Sequence, residues 1–388
     1  MTAHALLSAS GAARWLNCTG APALEKNFPD TTSVYAKEGT LAHAICELKL
    51  RKYAIEPMGK SVYTRRLNKL KKEEGYDKEM DGYTDDYLDH IKQILLSYPE
   101  TPYVAAEQRV DFSQWVPGGF GTADCLIIGG HTLHVVDFKY GKGVEVDARD
   151  NPQMRLYALG ALERYGMLYE IWKIRMHIIQ PRINNYSDDS ISATDLFQWA
   201  DAEVKPAAEE AYKGPGTFKP GDWCRFCRAK SQCKPRAEYF AAMAKDAREH
   251  SDPRLMSLED LGRYLKIAKL LKPWAEDLQE YGLGCCLDGK QVPGWKAVEG
   301  RGSRSFTDQD AAFKVLMDHG TAESMLWTKV PLTLAQTEKL IGKKEFAALV
   351  GSYVDKKPGK PALVPDTDKR PAIDNVTHAE DVFEKIEK

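Results

Sequence analysis

Residues 121–139 read Gly-Thr-Ala-Asp-Cys-Leu-Ile-Ile-Gly-Gly-His-Thr-Leu-His-Val-Val-Asp-Phe-Lys, two apolar runs separated by a pair of glycines. Apolar runs that flank such a pair are typical of a β-hairpin. Side chains alternate along a strand, so Asp137 and Lys139 share one face. If the turn has an even number of residues, Asp124 lies on that face too, opposite or diagonal to Asp137. The stretch therefore predicts two carboxylates and an ammonium group at one point of a sheet.

Two carboxylates buried so close together are unfavourable unless a cation lies between them. Hard divalent ions such as Mg²⁺ take carboxylate, carbonyl and water oxygens as ligands. The alternative is a surface hairpin that carries a solvated aspartate and lysine. These residues alone do not decide between a metal site and a surface hairpin.

A helical segment upstream supplies a histidine. The run from Lys37 to Thr40 precedes an apolar stretch, and Thr40 can cap the helix that it opens. His43 and Glu47 are four residues apart, so they share one face of that helix. A single histidine on a helix is more often structural than a ligand, so this segment is weak when taken alone.

Two further segments flank the hairpin. Glu107 lies in a short run that is either the end of a helix or a first strand before the hairpin. Gln153 and Tyr157 stand at i and i+4 after Pro152, a residue that suits the first turn of a helix. A polar pair of this kind is usually an ordinary stripe on a helix surface.

The order of these elements resembles the PD-(D/E)XK nuclease superfamily, in its RecB-like branch. That branch carries a Gly-x-x-x-His helix, an acidic residue, a Gly-x-x-Asp strand, an Asp-x-Lys strand and a Gln-x-x-x-Tyr helix. The matching residues are Gly39 and His43, Glu107, Gly121 and Asp124, Asp137 and Lys139, and Gln153 and Tyr157. The resemblance implies an α/β fold: a nuclease core with a mixed central β-sheet flanked by helices, additional helical regions and a cysteine-ligated cluster.

The resemblance also implies a divalent metal, Mg²⁺ or Mn²⁺. Asp124 and Asp137 would bind it, with the Phe138 carbonyl as a further oxygen ligand. His43 would complete this site or bind a second ion. Glu107 is a weaker candidate for a ligand, or it orients another group.

Three more residues have catalytic roles in this interpretation. Lys139 would position the attacking water or stabilise the developing charge. Gln153 and Tyr157 would hold the DNA backbone or brace Lys139.

The cysteines give a separate signal. Among eight cysteines, Cys224, Cys227 and Cys233 form a Cys-x₂-Cys-x₅-Cys run whose thiolates can share one metal centre, and a fourth ligand is missing locally. An iron–sulfur subgroup of the same nuclease branch, which includes CRISPR-associated exonucleases and AddB-type subunits, adds one cysteine ahead of the core. Cys18 matches it, and four thiolates suit a [4Fe–4S] cluster. Structural Zn²⁺ is the alternative, because zinc also accepts four cysteines.

Composition sets wider limits. A chain of 388 residues predicts two or three domains, and a formal charge of −2 gives no global basic signature. A nucleic-acid partner must then be held by local patches, and residues 60–72, with six basic and no acidic residues, are either such a patch or a solvated helix face. No signal peptide or membrane-spanning run is evident. The expected compartment is the cytoplasm, of a bacterium or of a phage-infected host.

The sequence divides into five predicted regions. They are 1–38, with the first cluster cysteine; 39–182, the nuclease core; 183–245, a helical region with the cysteine run; 246–354, mostly helical; and 355–388, an extended tail.

The predicted function is metal-dependent exonucleolytic hydrolysis of DNA. Gly284 to Lys290 has the spacing of a phosphate-binding loop but lacks its Ser/Thr, so the chain resembles free-standing exonucleases of phage recombination more than ATP-driven ones. The expected role is end resection in recombination or repair, beside a single-strand annealing or binding protein. The alternatives are a structure-specific endonuclease and a non-catalytic DNA-binding scaffold.

Overall fold

The computed structural model describes residues 5–29, 34–249, 257–298, 308–320, 322–327, 334, 337, 342–350 and 353–354. The chain divides into two compact units, Met1–Val298 and Glu299–Lys388. Every residue predicted for the metal site or the cysteine cluster falls in the first unit.

The first unit contains a five-stranded β-sheet flanked by helices. Its strands are β1 (Tyr103–Asp111), β2 (Phe120–Gly129), β3 (Thr132–Phe138), β4 (Lys173–Gln180) and β5 (Asn185–Ser192). The strands lie side by side in chain order, with β3 and β4 parallel and the other neighbours antiparallel. The predicted α/β class with a mixed central sheet is confirmed.

Helices precede and follow the sheet in the sequence. The α-helices described in this unit are α1 (Ala12–Asn17), α2 (Ala21–Glu25), α3 (Val34–Leu50), α4 (Lys60–Leu70), α5 (Glu79–Leu96), α6 (Pro152–Tyr165), α7 (Ala193–Trp199), α8 (Lys205–Lys213), α9 (Lys234–Glu249) and α10 (Leu258–Leu287). Short 3₁₀ segments lie at Ala9–Gly11, Pro181–Ile183 and Asp222–Phe226, and π-helical turns at Arg51–Ile55 and Ala200–Val204.

The β2–β3 hairpin has a two-residue turn, Gly130-His131, which meets the condition that the turn has an even number of residues. Gly129 pairs with Thr132, and Gly130 takes φ 53°, a left-handed conformation that glycine adopts without steric cost. Because the turn is even, continuing the register of this pair brings Asp124 opposite Asp137. The hairpin therefore sets the two aspartates at corresponding positions of adjacent strands.

Helix α6 joins the parallel strands β3 and β4 and covers one face of the sheet. Asn151 caps its first turn by accepting from the backbone N–H groups of Gln153 and Met154, and Pro152 occupies the first helical position. Apolar side chains of the helix and sheet, such as Leu159 and Val135, form one continuous core here. The packing fixes the start of α6 beside the end of β3.

Helices α3 and α5 cover the opposite face. Ile45 and Tyr87 from these helices pack with Ile127 and Phe138 from the sheet in a second core. Helix α3 begins at Val34, so Thr40 lies inside the helix and does not cap it. His43 still lies on this helix and faces the sheet from this side.

The sheet extends past the boundary predicted at residue 182, because β5 pairs along its length with β4. Its sequence, Asn-Tyr-Ser-Asp-Asp-Ser-Ile-Ser, has no apolar run, since an edge strand needs to bury only part of its side chains. The region 183–245, predicted as a helical region with the cysteine run, therefore begins with a strand.

In the second unit, helices lie at Gln309–Asp318, Glu323–Leu326 and Lys343–Val350. They agree with the helical periodicity of residues 246–354. The tail predicted at residues 355–388 lies outside the described residues.

Candidate metal centre and active site

The sheet is irregular at two carboxylates that face each other. Ala123 packs into the core under α6 and Cys125 into the core under α3, although residues two apart on a strand normally share a face. Glu107 takes φ 48°, which non-glycine residues rarely adopt, and the register on both sides puts it opposite Asp124. A backbone conformation of this kind costs of order 1–3 kcal/mol, and such conformations cluster at functional sites.

His43 approaches this point from α3. Its Nδ1 lies 3.3 Å from Oδ2 of Asp124, and the same carboxylate oxygen accepts the Phe138 backbone N–H at 2.8 Å. The imidazole also meets the Phe138 ring edge to face, with ring centroids 5.5 Å apart. These contacts hold the carboxylate of Asp124 between α3 and β3.

Three side chains at this point have the spacing of metal ligands. One ligand atom each from His43, Glu107 and Asp124 lie within 4.8 Å of one another, and no other such group occurs in the described part of the chain. An imidazole nitrogen and two carboxylate oxygens suit a Mn²⁺ or Mg²⁺ ion. Glu107 is the weaker ligand candidate in the sequence, but in the structure its carboxylate lies beside His43 and Asp124.

The electrostatics of this group favour a bound cation. Burial and the nearby carboxylate of Asp124 raise the pKa of Glu107 to about 7. Burial lowers the pKa of His43, but the charge and hydrogen bond of Asp124 outweigh it and raise that pKa to about 9. Burial opposes ionisation of Asp124, yet His43 holds its pKa below the usual range. A divalent cation would relieve the repulsion between the two carboxylates.

A second group of side chains lies on the α6 side. Lys139 Nζ lies 2.9 Å from Oδ2 of Asp137 and donates to Oε1 of Gln153 at 3.2 Å. The Gln153 amide nitrogen lies 3.3 Å from Oδ1 of Asp137 and 3.1 Å from the Tyr157 hydroxyl. One turn of α6 thus orients both the carboxylate and the ammonium group of the Asp-x-Lys strand.

Asp137 is buried, and Lys139 supplies its counter-charge. The Oδ2 atom of Asp137 lies 2.9 Å from Lys139 Nζ and accepts no other hydrogen bond from the described residues. Burial raises the pKa of Asp137 despite the neighbouring Lys139. Burial lowers the pKa of Lys139, but Asp137 and Asp124 raise it above its usual value, so the lysine stays protonated. Because a carboxylate oxygen carries two lone pairs, the contact with Lys139 leaves one lone pair of Oδ2 for a cation.

All the residues predicted for the catalytic site lie in these two groups. The first contains His43, Glu107 and Asp124, the second Asp137, Lys139, Gln153 and Tyr157, and Phe138 lies between them. Phe138 contributes its N–H to Asp124, while its carbonyl as a metal ligand stays a prediction.

The two motif glycines differ in their steric surroundings. A Cβ on Gly121 would lie 2.6 Å from Cε1 of Tyr157, so the tyrosine ring occupies the space that a side chain would need. A Cβ on Gly39 would meet nothing within 4 Å. Packing therefore explains the glycine of the Gly-x-x-Asp strand and not that of the Gly-x-x-x-His helix.

The four predicted cluster cysteines line one cavity. Cys18 comes from the end of α1, and Cys224, Cys227 and Cys233 from the loop around Asp222–Phe226. Burial raises the pKa of Cys227 to about 12, so this thiol ionises near neutral pH only beside a cation. The donor set fits a metal centre.

Several residues that the sequence did not single out support the cysteine cavity. Buried Glu25 accepts from Arg14 at 3.0 Å and from the backbone N–H of Arg228 at 2.8 Å, which joins α2 to the cysteine loop. Arg236, which lines the cavity, pairs with buried Asp277 of α10 at 2.8 Å. Glu25 and Arg228 are 203 residues apart in sequence, and Arg236 and Asp277 are more than forty apart, so no local pattern could reveal these two pairings.

Comparison with protein families gives a match over residues 4–371 to a family described as proteins of unknown function, DUF2800. The chain belongs to the DUF2800 family. The match extends from before the first cluster cysteine, through the sheet, into the second unit, so both groups of candidate residues are part of the family's common region. In the described part of the chain, no helix is long and apolar enough to span a bilayer.

Among solved structures, a crystal structure of SSO0001 is similar to this chain. The two are 15% identical, with a TM-score of 0.23, over 50% of this chain and 85% of that chain. A TM-score this low establishes no common fold.

Proposed function

We propose that the protein is a metal-dependent DNA exonuclease of the PD-(D/E)XK type. The observation that carries the proposal is the meeting of an imidazole, three carboxylates and one ammonium group beside the middle of β2 and the end of β3. The carboxylates belong to Glu107, Asp124 and Asp137, and their closeness in a partly buried site favours a divalent cation.

His43, Glu107, Asp124 and Asp137 would hold Mg²⁺ or Mn²⁺. Such a cation supplies Lewis acidity, which activates water and neutralises charge on the phosphodiester. The close spacing of the ligand atoms of His43, Glu107 and Asp124 and the burial of Asp137 support this assignment.

Lys139 acts as a cation in this proposal. Asp137 keeps it protonated, so it stabilises negative charge that develops on the phosphate and does not serve as a base. Gln153 fixes the ammonium group through its amide oxygen and Asp137 through its amide nitrogen. Tyr157 supports Gln153 from the next turn of α6.

End-dependent cleavage of DNA tests the proposal. With Mg²⁺ or Mn²⁺, the protein should degrade linear duplexes and leave closed circles intact. Asp137→Ala should lower the rate roughly 10²–10³-fold, the range seen when a group that stabilises the transition state is removed. Glu163→Ala, which removes an exposed carboxylate of α6, is the matched control.

The other outcomes identify the alternative functions. Nicking of closed circles would support a structure-specific endonuclease. Binding without cleavage in the wild-type protein, with either metal, would support a non-catalytic scaffold and refute the exonuclease.

Resection of DNA ends for recombination or repair is the proposed role, with a single-strand annealing or binding protein as the partner. Such a partner would protect the strand that resection exposes. Faster or more complete resection when an annealing protein is added, and no change with an unrelated DNA-binding protein, is the expected result.

The four cysteines would hold a [4Fe–4S] cluster with a structural role, tying the amino-terminal segment to the region after the sheet. The four cysteines line one cavity, which supports a common metal centre there, and the resemblance to the iron–sulfur subgroup favours a cluster over zinc. Protein purified without oxygen should be brown and bleached by dithionite, and Cys18→Ser should lose iron. A colourless protein that contains zinc would refute this assignment.

A further inference from the structure

Helix α4 separates its charges from its apolar residues. Leu67 and Leu70 are partly buried and pack against the core under α3. Residues 60–72, which comprise the helix and its first following turn, contain six basic residues and no acidic residue. In a chain with a net charge of −2, this concentration of cations is a local feature.

Two of the six cations have acidic partners. Arg66 lies 3.7 Å from Glu56, and Lys71 pairs with Asp81. The remaining four cations form no ion pair with another described residue, and all four side chains are exposed. These four are Lys60, Arg65, Lys69 and Lys72.

The four unpaired cations follow one another at steps of three to five residues, so they lie along one exposed face of α4 and the turn after it. The hydroxyl groups of Ser61 and Thr64 and the amide of Asn68 lie along the same face. These groups all donate hydrogen bonds to phosphate oxygens, as do Lys and Arg. No apolar side chain is among the described residues of this face, which we call the α4 cationic face.

The length of the α4 cationic face matches an extended polyanion. Lys60 and Lys69 are nine residues apart within α4, which corresponds to roughly 14 Å at 1.5 Å per residue, and Lys72 follows in the next turn. A single phosphate would contact one end of such a row, whereas a DNA strand carries a phosphate every 3.4 Å or so. An acidic protein is less suited, because protein interfaces usually need aromatic or apolar anchors that this face lacks.

The α4 cationic face is fixed relative to the candidate active site. Helix α4 packs against α3, which carries His43, and Leu67 and Leu70 join the core that contains Phe138. Both residues contact Asp124, His43 through its imidazole and Phe138 through its backbone N–H. A strand bound along α4 is therefore held by the same rigid framework that positions the metal-binding carboxylate.

We propose that the α4 cationic face binds the phosphate backbone of nucleic acid and holds the DNA while its end lies at the active site. That the bound strand is the one to be cleaved rests on the proposed function. The binding itself does not, because it involves neither the metal ligands nor Lys139.

The test separates binding from cleavage. Binding of a fluorescent 30-base-pair duplex is measured by anisotropy in an Asp137→Asn background with EDTA, over a range of salt concentrations. The test variant carries Gln in place of Lys60, Arg65, Lys69 and Lys72. The control carries Gln in place of four exposed lysines elsewhere, Lys26, Lys205, Lys266 and Lys269, so that both variants change the net charge equally.

The test variant should bind more weakly, and the slope of log K against log salt should be smaller in magnitude by about 3–4, at about 0.9 per lost phosphate contact. The control should keep the parental slope. Equal slopes in the two variants would overturn the proposal, provided that circular dichroism gives the same melting temperature for both. Displacement of DNA by polyglutamate of equal total charge would also overturn it, in favour of an acidic protein partner.

A separate measurement, DNA cleavage by the Asp137→Ala variant, tests the proposed function. If Asp137→Ala cleaves like the wild type, the nuclease assignment fails, while the anisotropy result still decides whether α4 binds nucleic acid.

Discussion

His43 Nδ1 lies 3.3 Å from Oδ2 of Asp124, a contact that joins helix α3 to strand β2 across one edge of the site. Glu107 reaches the same point from β1 through a backbone conformation that is rare for glutamate. The three side chains come from three different elements, so their closeness is a property of the tertiary fold. This arrangement predicts that a divalent ion binds and stabilises the folded protein.

Addition of Mn²⁺ should raise the melting temperature of the wild-type protein. An ion at 100 times its dissociation constant stabilises the folded state by about 2.7 kcal/mol. Asp124→Asn and His43→Gln should each lose most of this gain, whereas Glu163→Gln should keep it. Differential scanning fluorimetry with titrated Mn²⁺ measures the effect, and an equal shift in all four proteins would contradict a site at Asp124.

Gln153 orients Lys139 and Asp137 without belonging to the group of metal ligands. Gln153→Leu should therefore reduce DNA cleavage about 100-fold, the size of effect that a 1 Å misplacement can cause, with little change in Mn²⁺ affinity. Tyr157→Phe removes only one hydrogen bond to Gln153 and should have a smaller effect. Single-turnover cleavage and Mn²⁺ titration together check this, and a Gln153→Leu protein of normal activity would rule out the positioning role.

The two motif glycines should respond to alanine in opposite ways. Gly121→Ala forces a methyl group against the Tyr157 ring and should destabilise the protein by about 1–3 kcal/mol, as overpacking does. Gly39→Ala meets no neighbour inside α3 and should stabilise it by about 0.5–1 kcal/mol. Urea unfolding of the two variants gives the comparison, and destabilisation of similar size in both would contradict the packing described here.

A buried pair of histidines predicts loss of stability in mild acid. Tyr98 OH lies 2.7 Å from Nε2 of His134, whose Nδ1 lies 3.0 Å from Nε2 of His177. Burial, assisted by positive charge from Arg175, lowers the pKa of His134 to about 4, and burial with the neighbouring His134 lowers that of His177 to about 3. Near pH 5 the unfolded chain therefore binds protons that the folded chain does not.

The contribution of this histidine pair to the free energy of unfolding should be constant above about pH 7. It should decline as the pH falls from about 6.5 towards 4. The expected slope is about 1.4 kcal/mol per pH unit for each histidine that takes up a proton on unfolding. A His134→Gln/His177→Gln variant should have a flatter profile than the wild type between pH 4.5 and 6.5 in guanidinium unfolding. Parallel profiles over that range would show that these histidines are not responsible.

Asp277 neutralises a cation that would otherwise be buried alone. Its carboxylate pairs with Arg236 at 2.8 Å and with Lys230 at 2.7 Å, and only 4% of Arg236 is exposed. Asp277→Ala should cost about 3–5 kcal/mol, because it leaves the guanidinium without a counter-charge. Glu276→Ala, at an exposed neighbouring position, should change the free energy of unfolding by less than about 0.5 kcal/mol. Equal effects would contradict the burial of this ion pair.

The parts of the fold that follow local rules could be predicted from the sequence. The glycine pair indicates the hairpin, whose two-residue turn, Gly130-His131, aligns Asp124 with Asp137, and Pro152 marks the start of the helix that carries Gln153 and Tyr157. These features depend on residues that are close together along the chain, where periodicity and turn chemistry are informative.

The remaining features depend on tertiary contacts. Glutamate has no preference for φ 48°, so nothing at Glu107 indicates that its carboxylate turns towards His43. Strand β5 is polar because it lies at the sheet edge, and its sequence alone resembles a loop. The pairing of Arg236 with Asp277 brings together α9 and α10 over a long separation, which spacing cannot show.

Thr19 and Thr217 are 198 residues apart in the chain, yet the Thr217 N–H donates to Oγ1 of Thr19 at 2.8 Å and its carbonyl accepts the Gly20 N–H at 3.0 Å. A ribosome adds about 5–20 residues per second, so the amino-terminal segment emerges roughly 10–40 s before its partner exists. Throughout that interval Cys18 is part of the nascent chain, and the other three cysteines of the cavity have not yet been synthesised. The order of synthesis therefore makes closure of the cysteine cavity a late event, after the sheet has been translated in full.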